Sequence, residues 1–213
     1  MKNYLAILIV TLLLGCNSHG QNNKVEFEGT ILYSVTVKSK NADVISDEEV
    51  QDSFGDSLIF YFKRGKYRMS FNGKDLSDVY YFTDSNVEYT LRNNIDTLFY
   101  GDCSKVIDEF GKLIKFNSNE TICGHKCSGI EVSSNKSKRT FLFSEDLHIN
   151  PLDFEKYIMG NFNRYYAEAQ APFLLYIYDG ISFTTNYRAI KIEAKKLDDQ
   201  FFDLPALPMK GFN

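Results

Sequence analysis

A single change of hydrophobic period governs what this chain can fold into. From Thr30 to Ser144 apolar residues come in short runs parted by turn residues, and only from Pro151 to Ala169 do they follow a helical spacing. Ile31, Tyr33, Val35 and Val37 alternate with smaller or polar residues, as in a half-buried strand. Ser57–Arg64 and Lys66–Asn72 flank Arg64-Gly65 and read as a hairpin. Asp78–Thr83, Asn86–Leu91 and Asp96–Tyr100 continue a meander, with turns at Asp84-Ser85 and Asn93-Asn94. Lys112–Phe116, Glu120–Cys123, Cys127–Ser133 and Lys138–Ser144 extend it. Phe154, Tyr157, Ile158 and Phe162 then fall on one helical face, weakened at Gly160 and ended by Pro172. Phe173–Tyr178 and Ile181–Ala194, read as the longest strand, return to strand character. Asn41–Gly55 is acidic and weakly helical, a surface excursion.

About ten antiparallel strands and one late helix follow, a mostly β (α+β) fold. Runs 58–62, 79–82 and 173–178 are apolar on both faces. A one-sided antiparallel sheet keeps one polar face, so these runs predict a sheet wrapping something on its concave side. Phe60, Phe62, Tyr67, Met69, Phe71, Tyr81, Phe173, Leu175 and Ile177 are the candidate lining of a ligand cavity there. The plainer reading of each is core packing.

The N-terminus predicts export. Lys2 precedes an apolar run from Tyr4 to Leu14, about half the ~20 residues a spanning helix needs. Leu13-Leu14-Gly15-Cys16 resembles the lipobox of bacterial lipoproteins, in which the cysteine thiol is acylated. Residues 1–15 are therefore expected to be a signal peptide, 16–24 a flexible tether and 25–213 one β-rich domain. Acyl chains such as palmitate on Cys16 would hold the protein to a membrane, at ~0.8 kcal/mol per buried CH₂. The expected location is the cell envelope, on the outer membrane facing the periplasm or the surface. A formal net charge of −4 without a basic cluster argues against nucleic acid. The chain has 18 Phe and 14 Tyr but no Trp, a composition suited to strands.

Catalytic motifs are scarce. The chain contains no Gly-x-Ser-x-Gly, His-Glu-x-x-His, phosphate loop or calcium loop. Adjacent acids such as Glu145/Asp146 and Asp198/Asp199 point to opposite faces of a strand and read as solvated surface. Cys123, His125 and Cys127 share one strand face by alternation, yet no fourth metal ligand is evident and no metal is expected. A polar pocket converging on His125 or His148 would instead point to hydrolase-type chemistry. Three cysteines remain beyond Cys16, and in an oxidising compartment two of them are expected to pair. Cys123 and Cys127 lie ~13 Å apart on an extended strand, so their pairing needs a tight turn at Gly124.

Four segments together resemble the GLPGLI family. They are Thr121-Ile122-Cys123-Gly124-His125-Lys126-Cys127, Phe141-Leu142-Phe143-Ser144-Glu145-Asp146-Leu147, Ala171-Pro172-Phe173-Leu174-Leu175 and Phe202-Asp203-Leu204-Pro205. Phe173 stands where that family has glycine, and His125 where it has tyrosine. The resemblance spans roughly residues 25–206. It implies an unclosed LolA/LolB-like half-barrel, covered by helix, whose concave apolar face can hold acyl chains. It also implies that Cys127 is buried and unpaired, which favours a Cys103–Cys123 disulfide, with Cys103–Cys127 second. The resulting expectation is a non-enzymatic envelope lipoprotein that holds a hydrophobic ligand or lipid and uses no cofactor. The alternative is a non-catalytic interaction subunit that docks an envelope protein through its edge strands or the 41–55 excursion.

Overall fold

The computed structural model describes residues 25–212. Residues 1–24, with the expected signal peptide, the acylated Cys16 and the tether, lie outside the described residues, as does Asn213. The chain runs β1 (Gly29–Ser39), α1 (Asp47–Phe54), β2 (Ser57–Lys63), β3 (Lys66–Phe71), β4 (Leu76–Phe82), β5 (Val87–Arg92), β6 (Leu98–Asp102), β7 (Phe110–Ile122), β8 (His125–Ser134) and β9 (Lys138–Phe143). Two 3-10 turns, Pro151–Phe154 and Met159–Asn161, lead into α2 (Phe162–Ala169). Then come β10 (Phe173–Asp179), β11 (Phe183–Ala194), a 3-10 turn at Asp199–Phe202 and β12 (Met209–Gly211).

All twelve strands form one sheet in the order β12-β6-β5-β4-β3-β2-β1-β11-β10-β9-β8-β7. Pairing is antiparallel throughout except β12 on β6, a parallel pair that no alternation announces. The order itself requires curvature. β6 and β7 follow one another in the chain but lie ten strand steps apart, roughly 48 Å in a flat sheet. Residues 103–109 join them and reach at most about 28 Å. The sheet therefore curls until its ends approach, wrapping its concave side as the two-sided apolar strands predict and giving the unclosed half-barrel that the resemblance implies.

Two runs expected as separate strands, 112–116 and 120–123, are one 13-residue strand, β7. It exceeds the 12 residues of β11, which was expected to be the longest. Register shifts within β7 absorb the extra residues. The β7–β8 turn is Cys123-Gly124, with φ of 50° and 85°. Positive φ at both positions is the type I′ geometry that matches strand twist. The excursion at 41–55 carries α1. Ser46 caps it and Glu49 returns the bond to the Ser46 backbone. Gln51 ties α1 to β1 through the Val37 N–H at 2.8 Å and the Val35 carbonyl at 3.2 Å.

The late helix is shorter than its periodicity. Gly160 and Asn161 both take left-handed conformations, with φ of 66° and 61°, and break the 151–169 stretch. The apolar face nonetheless survives the break. Phe154, Tyr157, Tyr165 and Tyr166 are all buried against the concave side of the sheet. Phe154 stacks on Tyr81 and Tyr166, and Tyr165 stacks on Phe141 at 4.1 Å. The convex side of β2 and β3 is covered by the C-terminal segment. There Phe201 stacks on Tyr61, and Lys66 lies over Phe202.

The short β6–β7 link is pinned by a buried ion pair. Arg139 on β9 donates to Asp108 at 2.9 Å, with side chains 8% and 6% exposed. Ser137 also donates to Asp108, and Asn161 donates to the Asp108 carbonyl. Burial pushes the Asp108 carboxyl upward, but its bonds from Ser134, Ser137 and Arg139 outweigh that and hold it below the usual range. A carboxyl depressed on folding contributes stability above its unfolded pKa and loses it as pH falls through the folded one. Asp108→Ala leaves Arg139 buried without a counter-charge. It is expected to cost about 3–5 kcal/mol in urea denaturation near neutral pH, with a smaller cost in acid. A change under 1 kcal/mol would show that the link is not held by this pair.

Candidate functional site

The register of β2 to β5 builds the concave wall row by row. Phe62, Tyr67, Tyr81 and Glu88 stand directly opposite one another across four strands. The next row is Phe60, Met69, Val79 and Thr90, and beyond it Leu58 faces Phe71. Opposed residues of an antiparallel pair share a face, so both rows look inward. From the other side, Tyr187 on β11 and Tyr176 on β10 are opposed and stacked at 5.5 Å. Phe162 and Tyr166 come from α2.

These elements leave a cavity of about 190 Å³ between the sheet and α2. It is lined by Phe60, Tyr67, Met69, Phe71, Leu76, Val79, Glu88, Phe162, Tyr166, Phe173, Tyr176 and Tyr187. Met69, Phe71, Leu76, Phe162 and Tyr176 keep part of their surface exposed and form its open side. Tyr33 and Phe60 close the inner end around Phe173, whose carbonyl accepts the Tyr33 hydroxyl at 2.5 Å.

Five of the nine residues expected to line a cavity do so: Phe60, Tyr67, Met69, Phe71 and Phe173. Phe62 and Tyr81 face the same side but are sealed beneath Phe154. Leu175 and Ile177 are turned away. A register shift between Phe173 and Leu175 on the β9 side switches the parity of β10, so Tyr176 faces the cavity instead.

Glu88 is the residue that pattern reading misses. In Val87-Glu88-Tyr89-Thr90-Leu91 the apolar positions should face inward and Glu88 outward. The structure has the reverse, because Tyr89 pairs with Tyr80 and packs on Phe82 and Tyr100 on the convex side. Glu88 Oε2 accepts hydrogen bonds from the hydroxyls of Tyr157 and, at 3.4 Å, Tyr67. The two hydroxyls are themselves 2.9 Å apart. Glu88 is half-buried in the cavity wall. Burial pushes its pKa up, and the bonds from Tyr157 and Tyr67 offset this in part.

The expected Cys103–Cys123 disulfide is absent, and Cys103, Cys123 and Cys127 are all free thiols. Cys103 follows β6, fully buried, and its carbonyl accepts the Ile158 and Met159 N–H groups. Cys123 occupies the β7–β8 turn, with its thiol on the Ala189 carbonyl of β11. The two are tied to different parts of the fold. Among the described residues no group of three His, Cys, Asp or Glu comes together as a metal site, and no helix is long and apolar enough to cross a membrane.

Neither His125 nor His148 is placed to activate a hydroxyl for hydrolysis. Ser144 donates to Asp146 at 3.2 Å, and Asp146 meets His125 Nδ1 at 3.3 Å. The carboxylate stands between hydroxyl and imidazole, whereas nucleophile activation needs the imidazole in the middle. His148 lines an open polar cleft of about 240 Å³ with Glu145, Glu168 and Gln170, and no serine, threonine, cysteine or lysine lines it.

No family model matches the chain, and no curated protein matches it. Among solved structures, two of PNGF-II are similar, in C2 and P21 space groups. Each is 12% identical, with TM-scores of 0.47 and 0.48, covering 87% and 86% of this chain. The chain spans about a third of that protein's length, 31% and 32%.

The placement of Glu88 has a pH signature. An acid whose pKa rises on folding holds its proton longer in the folded chain than in the unfolded one. Below the ordinary value of 4.5 both states are protonated and nothing is lost. As pH rises beyond it the unfolded chain ionises first, and stability falls until the folded pKa is passed. Glu88→Gln removes this dependence. The stability difference between variant and wild type is expected to shift in favour of the variant from pH 4.5 towards neutral, read by denaturant midpoints at several pH values. A difference flat with pH would contradict the assignment.

Proposed function

We propose that this protein is a membrane-anchored envelope lipoprotein that holds a hydrophobic ligand or lipid in the concave face of its half-barrel and performs no catalysis. The observation that carries this reading is the aromatic cavity between sheet and α2. The helical segment fills most of the concave face but stops short of Met69, Phe71 and Leu76. Simple core packing would close that space, because native interiors leave few voids larger than a water molecule.

Its size narrows the occupant. A dry apolar cavity of ~150 Å³ admits a benzene-sized molecule, whereas drug-sized pockets run to ~300–1,000 Å³. At about 190 Å³ the site suits one ring or a segment of one chain, not the several acyl chains of a whole lipoprotein cargo. A longer chain would leave past Met69 and Phe71.

A second reading rests on β7. This 13-residue strand ends the sheet order, and Ile114 and Phe116 on it are 42% and 39% exposed. A long edge strand offers unpaired backbone groups to a partner strand. Pull-down from detergent-solubilised membranes should then recover a partner that Ile114→Lys abolishes; equal recovery with the variant counts against it.

For the cavity, delipidated protein should bind a fluorescent fatty probe at one saturable site. Met69→Trp fills the open side and is expected to weaken binding at least tenfold. Absence of saturable binding, or binding indifferent to Met69→Trp, would refute the reading.

A further inference from the structure

A cavity meant only for hydrocarbon has no use for a carboxyl. Glu88 is the single acidic group among twelve lining residues that are otherwise aromatic or aliphatic. No lysine, arginine or histidine of the described chain pairs with it. Arg139 on β9, whose charge reaches Tyr176 of the lining, is committed to Asp108 at 2.9 Å. Both tyrosine hydroxyls that serve Glu88 donate to Oε2. Oε1 has no hydrogen-bond partner among the described residues.

We propose that the cavity takes an amphiphile with an ammonium head, with Glu88 as its counter-ion and the surrounding rings as its walls. This deepens the reading of the cavity as a ligand site and rests on it. Three features support a cation over other heads. Once ionised, Glu88 is a charge without an ionic partner in the cavity wall, where an opposite charge interacts more strongly than in water. Six aromatic rings, Phe60, Tyr67, Phe71, Phe173, Tyr176 and Tyr187, border the cavity, and aromatic π-systems attract cations. Anionic heads are excluded, since a carboxylate or phosphate would meet Glu88 without a neutralising cation. An alcohol could donate to Oε1 but would leave the charge uncompensated.

The test compares three probes sharing one octyl chain: octyltrimethylammonium, octanol and octanoate. Each is titrated into the delipidated protein by calorimetry in mildly alkaline buffer. The ammonium probe is expected to bind at least tenfold more tightly than octanol, with octanoate weakest. Glu88→Gln should bring the ammonium probe to within threefold of octanol in the same variant. Octanol or octanoate binding as tightly as the ammonium probe in the wild type overturns the proposal and leaves the hydrophobic site standing. A variant that binds octanol normally and keeps the tenfold preference overturns it equally. If none of the three binds, the hydrophobic-ligand reading falls as well. The wild-type ranking decides the matter even if the variant does not fold.

Discussion

The short link between β6 and β7 is the constraint on which the architecture depends. Seven residues join strands at opposite regions of a twelve-strand sheet, so the sheet has no flat solution. Curling brings the ends together and creates a concave face too deep for one layer of side chains. The chain answers with residues 145–172, inserted between neighbouring strands β9 and β10 and laid across the hollow. The Asp108–Arg139 pair joins these two devices, since it ties the link to β9 while Asn161 ties it to the start of α2. Strand β9, link and inner layer are thus fixed at one point, and that point is charged and buried. Replacing such a pair with apolar residues can be neutral, but removing one partner is costly.

Much of this was legible in the residues. Strand positions followed from alternation, and the wrapped sheet followed from runs apolar on both faces. Those two faces have two separate covers, the late aromatic segment inside and residues 195–212 outside. The outer cover was not legible. Met209-Lys210-Gly211 is too short and too polar for a periodic signal, and its parallel pairing with β6 depends on where the tail happens to arrive. The late helix showed its apolar face but not its break, because a three-to-four spacing persists through a turn that happens to keep register. Gly160 marked the place, and only the left-handed Asn161 beside it completes the interruption.

The site was legible in part, for a specific physical reason. Alternation tells which residues share a face, not which face is inside when both are covered. For β2 and β3 the larger side chains happened to face inward, so Phe60, Tyr67, Met69 and Phe71 were found. For β10 one register shift inverted the parity and exchanged Leu175 and Ile177 for Tyr176. For β5 the apolar residues belong to the outer cover, which hid Glu88. The cysteines failed differently: counting them implies a bond, but the fold ties Cys103 to residues 158–159 and Cys123 to β11.

Glu88 is also where local consistency breaks down, and such breaks mark function more often than error. Tyr67 and Tyr157 partly compensate the carboxyl, and those same hydroxyls are buried beside the stacked ring of Tyr81. A polar cluster of this kind stabilises the fold less than a hydrocarbon of equal volume, because its desolvation is only partly repaid by hydrogen bonds. Its position follows from register, not from chance exposure: Glu88 stands in line with Phe62, Tyr67 and Tyr81, and moving it out would turn all of β5 over and expose Val87, Tyr89 and Leu91 inward. The strand that covers the outer face correctly is therefore the strand that must carry an acid to the cavity wall. The fold tolerates that acid only because two tyrosines meet it there, and a cationic guest would complete what they begin.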